Sequence, residues 1–247
     1  MELKEITHLI TNGAESLNIN KWDFGASFSN DFSVQVDKGI AKQLKASQKQ
    51  VLTLRVWNNK NLVGITTTSD LSENGLKRAL YQANLASDYG NKNELTDFSP
   101  LAKDPIEKIK VVKRSPSGIK KLLEKLRIAE NELLKKHSAI KTIPYNGLSE
   151  SFFKRIYANS DGAQRSYEKS QAAIYLYARA EENNRKPRSS GSVKIGYGLE
   201  DIDINSCIDE AAEKTISHLN YSAIETGKYK VCFSPESFLT LINAFSS

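Results

Sequence analysis

The sequence predicts an α+β fold, a two-layer sandwich in which a mainly antiparallel sheet packs against helices. Three observations carry that prediction. Strand-like and helix-like segments come in batches rather than in strict alternation, which disfavours a parallel sheet built from crossover units. Turn sequences such as Lys38-Gly39 and Asn159-Ser160-Asp161-Gly162 join neighbouring strand-like segments, as in hairpins. Apolar residues recur at three- and four-residue spacing in several separate stretches, each able to cover one sheet face.

The elements follow in order. Leu3, Ile6, Ile10, Ala14 and Leu17 make residues 2–18 an amphipathic helix. From Trp22 to about Ser47 the pattern shifts to period two, with turn residues at Asn30-Asp31 and Lys38-Gly39, so a run of hairpins is expected. Val51 to Trp57 and Leu62 to Thr68 continue the sheet across Asn58-Asn59-Lys60-Asn61. Asp70-Leu71-Ser72-Glu73 reads as a capping box, with Leu76, Leu80 and Ala83 as the buried stripe of the helix it opens.

Residues 91–114 show no period and contain Pro100 and Pro105, which predicts a long connection. Ser115-Pro116 is expected to start a helix, with proline at the first helical position and a stripe of Ile119, Leu122, Leu126, Ala129 and Leu133. Strands are expected at about 139–150, 151–158 and 164–181, and a polar loop at Asn183 to Ser192. Ile204, Ile208, Ala211, Thr215 and Leu219 predict a helix over 204–219. At the end, Gly227 to Phe233 reads as a short buried strand. Pro235 then opens a helix striped by Phe238, Leu241, Ile242 and Phe245.

Composition bounds the function. Apolar residues are 39% and charged residues 26%, a globular balance, and the net charge of +6 permits nucleic-acid binding without requiring it. The densest basic segment, residues 103–127, falls largely on the polar side of an expected helix, which reads as a solvated face. Met1-Glu2-Leu3-Lys4-Glu5 lacks the basic start and apolar run of a signal peptide, and no run of about 18 apolar residues is present. Cys207 and Cys232 lack CxxC or Cys/His spacing, so both are expected as small core residues in a reducing compartment. A soluble, cytoplasmic protein without a membrane partner is the expectation.

Chemical motifs are few. His8, His137 and His218 are scattered outside any His-Glu-x-x-His spacing, so each is expected to cap, pack or face solvent. No Gly-x-Ser-x-Gly elbow occurs, and Gly191, Gly196 and Gly198 match neither phosphate-binding pattern. Asp201, Asp203 and Asn205 read as helix-capping groups. Tyr157, Tyr167, Tyr175 and Tyr177 lie on strands, where aromatic residues ordinarily pack. Catalytic, cofactor-binding and metal-ligating residues are all expected to be absent from this chain.

Three segments resemble the TldD/PmbA family, often labelled modulator of DNA gyrase and regarded as metallopeptidases. They are Leu54 to Ser72, with its turn and Gly-and-threonine strand; Tyr157-Ala158-Asn159-Ser160-Asp161-Gly162; and Gly227-Lys228-Tyr229-Lys230-Val231 through Ser234-Pro235. Their order spans about residues 20–245. The resemblance implies an N-terminal and central α+β region over residues 1–226, and over residues 227–247 the start of a β-rich C-terminal domain that is otherwise missing. In the metal-bearing branch a His-Glu-x-x-x-His helix follows the proline segment, two imidazoles holding zinc and the glutamate handling the proton of the attacking water.

Ungapped alignment on Pro235 and Leu241-Ile242 puts Asn243 and Ala244 at the expected His-Glu positions. Neither residue can do that work. The chain therefore resembles the metal-free, PmbA/TldE-like branch, with zinc expected on a TldD-like partner subunit and unfolded peptide as the substrate to be admitted. The alternative is an independent binding module, with nucleic acid as its partner class. Charge alone supports that alternative weakly.

Overall fold

In the computed structural model, which describes residues 2–90, 97–106 and 111–246, a six-stranded sheet organises the chain. Its strands are β1 (Lys21–Asp37), β2 (Ile40–Trp57), β3 (Val63–Thr68), β4 (Ile140–Asn159), β5 (Gln164–Ala180) and β6 (Arg188–Gly196). They lie in the order β3-β2-β1-β4-β5-β6, each neighbouring pair antiparallel. Four helices, α1 (Leu3–Ser16), α2 (Glu73–Ser87), α3 (Ile119–Lys135) and α4 (Ile204–Ser217), cover one face; a fifth, α5 (Pro235–Ser246), buries no residue. This is the expected α+β sandwich.

The period of two decides which side is covered. Along β1 the buried Phe24, Ala26, Val34 and Val36 share parity, as do Leu52, Leu54 and Val56 of β2 and Ala172, Ile174, Leu176 and Ala178 of β5. The core falls into two clusters on that face. One joins Ile6, Ile10, Phe24, Leu54, Leu76 and Leu80 under α1 and α2; the other joins Val34, Leu122, Leu126, Leu133, Ile174 and Ile208 under α3 and α4. Each large apolar side chain buried here contributes about 1.5–3 kcal/mol.

Three buried polar side chains tie helices and bends to the sheet. Glu130 of α3 accepts from the Lys38 and Gly39 amides at 3.0 and 2.6 Å, holding the β1–β2 turn. Asn146 bonds both backbone groups of Val36, at 3.0 and 2.9 Å, where β4 has bulged between Thr142 and Tyr145. Its amide supplies the partners that the irregular ladder would leave unmet. Glu150 accepts from Ser117 N at 2.7 Å, Ser117 Oγ at 3.1 Å and Leu199 N at 3.1 Å.

Several sequence expectations are corrected. Asn30-Asp31 is no turn: both residues lie inside β1, paired with β2 and β4 together, because two flanking ladders outweigh local turn preference. The segments 139–150 and 151–158 are one strand, β4. Ser72, not Asp70, caps α2 by accepting from Gly75 N at 3.1 Å, while Asp70 instead binds Ser72 and Arg78. The α3 helix begins at Ile119, after Gly118 at φ 85°, since the Glu150 carboxylate holds Ser117 ahead of the helix. Part of the expected 183–192 loop is strand β6, polar yet paired with β5 along its length.

Residues 227–233 form no strand and are exposed, so the expected buried strand is absent and Cys232 lies at the surface. Apolar alternation there meets no pairing edge among the described residues. Of the expected connection at 91–114, residues 91–96 and 107–110 lie outside the described residues.

Candidate functional site

Opposite the helices, the sheet presents a face built from residues of the other parity. Strand register arranges its upper end in cross-strand rows. Ile65, Arg55, Asp23 and Asn159 lie side by side in the first. Thr53, Gly25, Tyr157 and Arg165 make the second, and Val51, Ser27, Arg155 and Tyr167 the third. The β1 column of this face continues as Gly25, Ser27 and Ser29, small residues between Thr53, Val51 and Lys49 of β2 and Tyr157, Arg155 and Phe153 of β4, and then as Asp31 and Ser33, whose β4 neighbours are Ser151 and Ser149. A trough over the Gly25–Ser29 stretch of β1 is the geometric result.

Asp23 anchors the head of the trough. Its carboxylate, 2% exposed, takes a two-pronged contact from Arg55, with Nε at 2.8 Å, and a hydrogen bond from the Tyr157 hydroxyl at 3.3 Å. Asn159 Nδ2 donates to the same hydroxyl at 3.4 Å. The bond to Asp23 raises the Arg55 pKa, and burial together with the Asp23 charge raises that of Tyr157. Tyr157 therefore stays protonated and neutral. This cluster holds the sheet in register and offers neither a nucleophile nor a base.

Residues 97–106 cross the sheet above this end. Asp97 pairs with Lys21 at 2.6 Å, and Phe98 meets Trp57 edge-on at 5.2 Å. Lys103 lies 3.6 Å from Asp161, and the Asp104 carbonyl accepts from Arg165 at 2.6 Å. Ile106 then overhangs a cavity of about 600 Å³ floored by the backbone at Gly25, Ala26 and Ile156 and walled by the side chains of Val51, Arg155 and Tyr167. A side chain added at Gly25 would meet nothing within 4 Å.

The residues singled out from sequence are dispersed. Asn243 and Ala244 lie on α5, exposed. His8 is on α1, 3.1 Å from the Asn12 amide; His137 follows α3 and accepts from Ala139 N at 3.1 Å; His218 ends α4. Among the described residues no three His, Cys, Asp or Glu side chains are grouped to hold a metal ion. Buried Cys207 points at the Ser192 carbonyl, 3.6 Å away, and burial pushes its thiol pKa up. Asp203 caps α4 as expected, through Ser206 N at 2.8 Å. Asp201 instead forms a two-pronged pair with Arg114, at 2.9 and 2.8 Å.

Of the four strand tyrosines, only Tyr157 and Tyr167 reach the cavity, while Tyr175 binds Gln35 at 2.8 Å. Sequence reasoning missed Asp23, Arg55, Arg155 and Arg165. The available signal was the alternation Gly25-x-Ser27-x-Ser29, small residues on one face of a central strand.

The sheet edges differ. Along β6 the Ser190 and Ser192 carbonyls are engaged by Thr215 and Cys207 of α4, at 3.0 and 3.6 Å. Along β3, among the described residues, no backbone–backbone hydrogen bond joins residues 63–68 to anything beyond β2.

An antiparallel sheet with one helix-covered face and one open face defines the class, an α+β sandwich domain. Residues 99–219 match the PmbA/TldA metallopeptidase central domain. That match identifies this part of the chain with the central domain of the TldD/PmbA family. Among solved structures, a candidate modulator of DNA gyrase from Thermotoga maritima superposes with a TM-score of 0.76 at 16% identity, covering 92% of this chain and 50% of that one. TldE from Thermococcus kodakarensis gives 0.70 at 16% identity, over 85% of this chain and 47% of its own. A candidate gyrase modulator from Bacteroides thetaiotaomicron gives 0.74 at 13% identity, over 92% and 52%. At these identities the likeness is one of fold, and this chain spans about half the length of each structure. No curated protein matches the sequence. Among the described residues no helix is long and apolar enough to cross a membrane.

Proposed function

We propose that the chain is the metal-free, peptide-admitting subunit of a cytoplasmic TldD/PmbA-type metallopeptidase, with zinc and hydrolysis on a TldD-like partner. The observation that carries this reading is the pair Asn243 and Ala244 on α5, an amide and a methyl at the positions expected for the zinc-binding His-Glu. A metal-bound water needs imidazole or carboxylate ligands and a proton acceptor, and these two residues supply neither. The open part of the sheet face and the side of β3 that is without backbone pairing among the described residues support the peptide role. An extended chain can add to such an edge through backbone hydrogen bonds, with little demand on its sequence.

The test is metal content and cleavage. The isolated chain should hold no stoichiometric zinc and should leave an unfolded peptide intact. Mixing it with a zinc-bearing TldD-like subunit should produce cleavage that depends on both chains. Stoichiometric zinc in the isolated chain, or cleavage by it alone, overturns the reading.

A further inference from the structure

The trough on the open face carries a charge arrangement that the register of the sheet does not require. Arg155 lies directly across from Tyr167, and Arg165 directly across from Tyr157, so two guanidiniums and two phenol rings alternate at the wall of one cavity. Neither guanidinium has a carboxylate within ion-pair distance among the described residues. Arg155 rests on the Phe153 ring at 4.8 Å, and Arg165 bonds only the Gln164 and Asp104 carbonyls, at 3.0 and 2.6 Å. Neighbouring Arg55, by contrast, is fully engaged by Asp23. Two cations with no carboxylate partner among the described residues, beside the apolar side chains of Val51 and Ile106, call for an anion attached to an apolar body, since guanidinium forks match carboxylates in shape and charge.

The shape of the trough selects which carboxylate. At the Asp23 end it is blocked twice, by the Arg55–Asp23 pair and by residues 97–106 pinned across the sheet at Lys21, Trp57 and Arg165. Away from that end, β1 runs on through Ser29, Asp31 and Ser33 with no covering segment among the described residues. A chain passing straight through would collide with the blocked end. A chain that stops there would not.

We propose that this cavity binds the C-terminal carboxylate of a peptide whose last residue is apolar. Arg155 and Arg165 take the carboxylate, and the last side chain lies over the Gly25 backbone, between Val51 and Tyr167 and beneath Ile106. The preceding residues run out along β1 past Ser27 and Ser29. The inference rests on the peptide-binding reading above and adds to it the end of the peptide that is recognised.

The experiment measures binding of fluorescein-labelled peptides to the intact chain by anisotropy. One peptide ends in Phe with a free carboxylate, the second is its C-terminal amide, and the third is that amide with an internal Glu. The free acid should bind about tenfold or more tightly than either amide, as expected for a charge-assisted, two-pronged contact. The double substitution Arg155→Gln, Arg165→Gln should remove that preference. Gly25→Val offers an independent check: its side chain would enter open space, so the urea midpoint should hold while free-acid binding falls.

Equal binding of acid and simple amide overturns the carboxylate assignment and leaves the peptide reading standing. Binding of the Glu-containing amide as tight as the free acid overturns the assignment to the chain terminus. Unchanged free-acid binding in Gly25→Val overturns the location. No binding of any peptide overturns the peptide reading, and this inference with it.

Discussion

Asp23 is 2% exposed, and its carboxylate is shared between Arg55 and the Tyr157 hydroxyl, so its removal leaves two polar groups without their partner. Asp23→Ala should therefore cost about 1–3 kcal/mol of folding free energy, read as a lower urea midpoint with an unchanged slope. Glu210 provides a pH-dependent counterpart. Hydrogen bonds from Lys194, Ser192 and Lys214 hold its carboxyl at a pKa of about 2, well below the usual glutamate range. A depressed carboxylate pKa contributes stability that is present above the unfolded value and lost as pH falls toward the folded one. The stability gap between the parent and Glu210→Gln should be full near pH 6 and should close between about pH 5 and pH 2. A gap that stays constant across that range would refute the assignment. Gly64 is constrained by space: a Cβ there would lie 1.8 Å from the Ala83 carbonyl of α2. Gly64→Ala should force α2 off β3 and cost about 1–3 kcal/mol or more, with chemical denaturation as the check.

At the scale of elements, caps and carboxylates set where segments begin. Ser72→Ala should destabilise by about 1 kcal/mol, because the Gly75 amide loses its acceptor at the start of α2; thermal unfolding measures it. What the sequence revealed at this scale follows the same physics. Helices α1, α2 and α4 and strand β5 were legible, since each carries a complete apolar period and a nearby turn or capping signal. Asn30-Asp31 misled because turn propensity is local, whereas pairing on both sides of β1 is not. Strand β6 was hidden by its polar composition, Arg188-Ser189-Ser190-Gly191-Ser192, and becomes a strand because β5 pairs it and α4 lies against it. The start of α3 was displaced by Glu150, which is distant in sequence. The trough was less legible still. Its rows gather residues from four strands, and only the small-residue alternation of β1 is visible in one stretch of chain.

For the molecule as a whole, the central position of β1 matters most. Its upper half lies in one core cluster and its lower half in the other, so neither cluster is complete without the same strand. By contrast α5 buries no residue, and removing residues 227–247 should leave the urea midpoint and slope unchanged. A shifted midpoint would mean that the tail contributes to the sheet domain. The order in which β1 acquires its neighbours has a consequence for biosynthesis. Strand β2 follows it at once, but the partner on its other side is β4, and the Asp23–Tyr157 contact between them closes over 134 residues. While a ribosome makes the intervening segment, the β1–β2–β3 hairpins present an uncovered central strand to their surroundings. Such an edge is where nascent chains pair wrongly with one another, and non-local closure is slow. Slow emergence of β4, more than any weakness of the finished fold, is then the interval in which this chain is most exposed to aggregation.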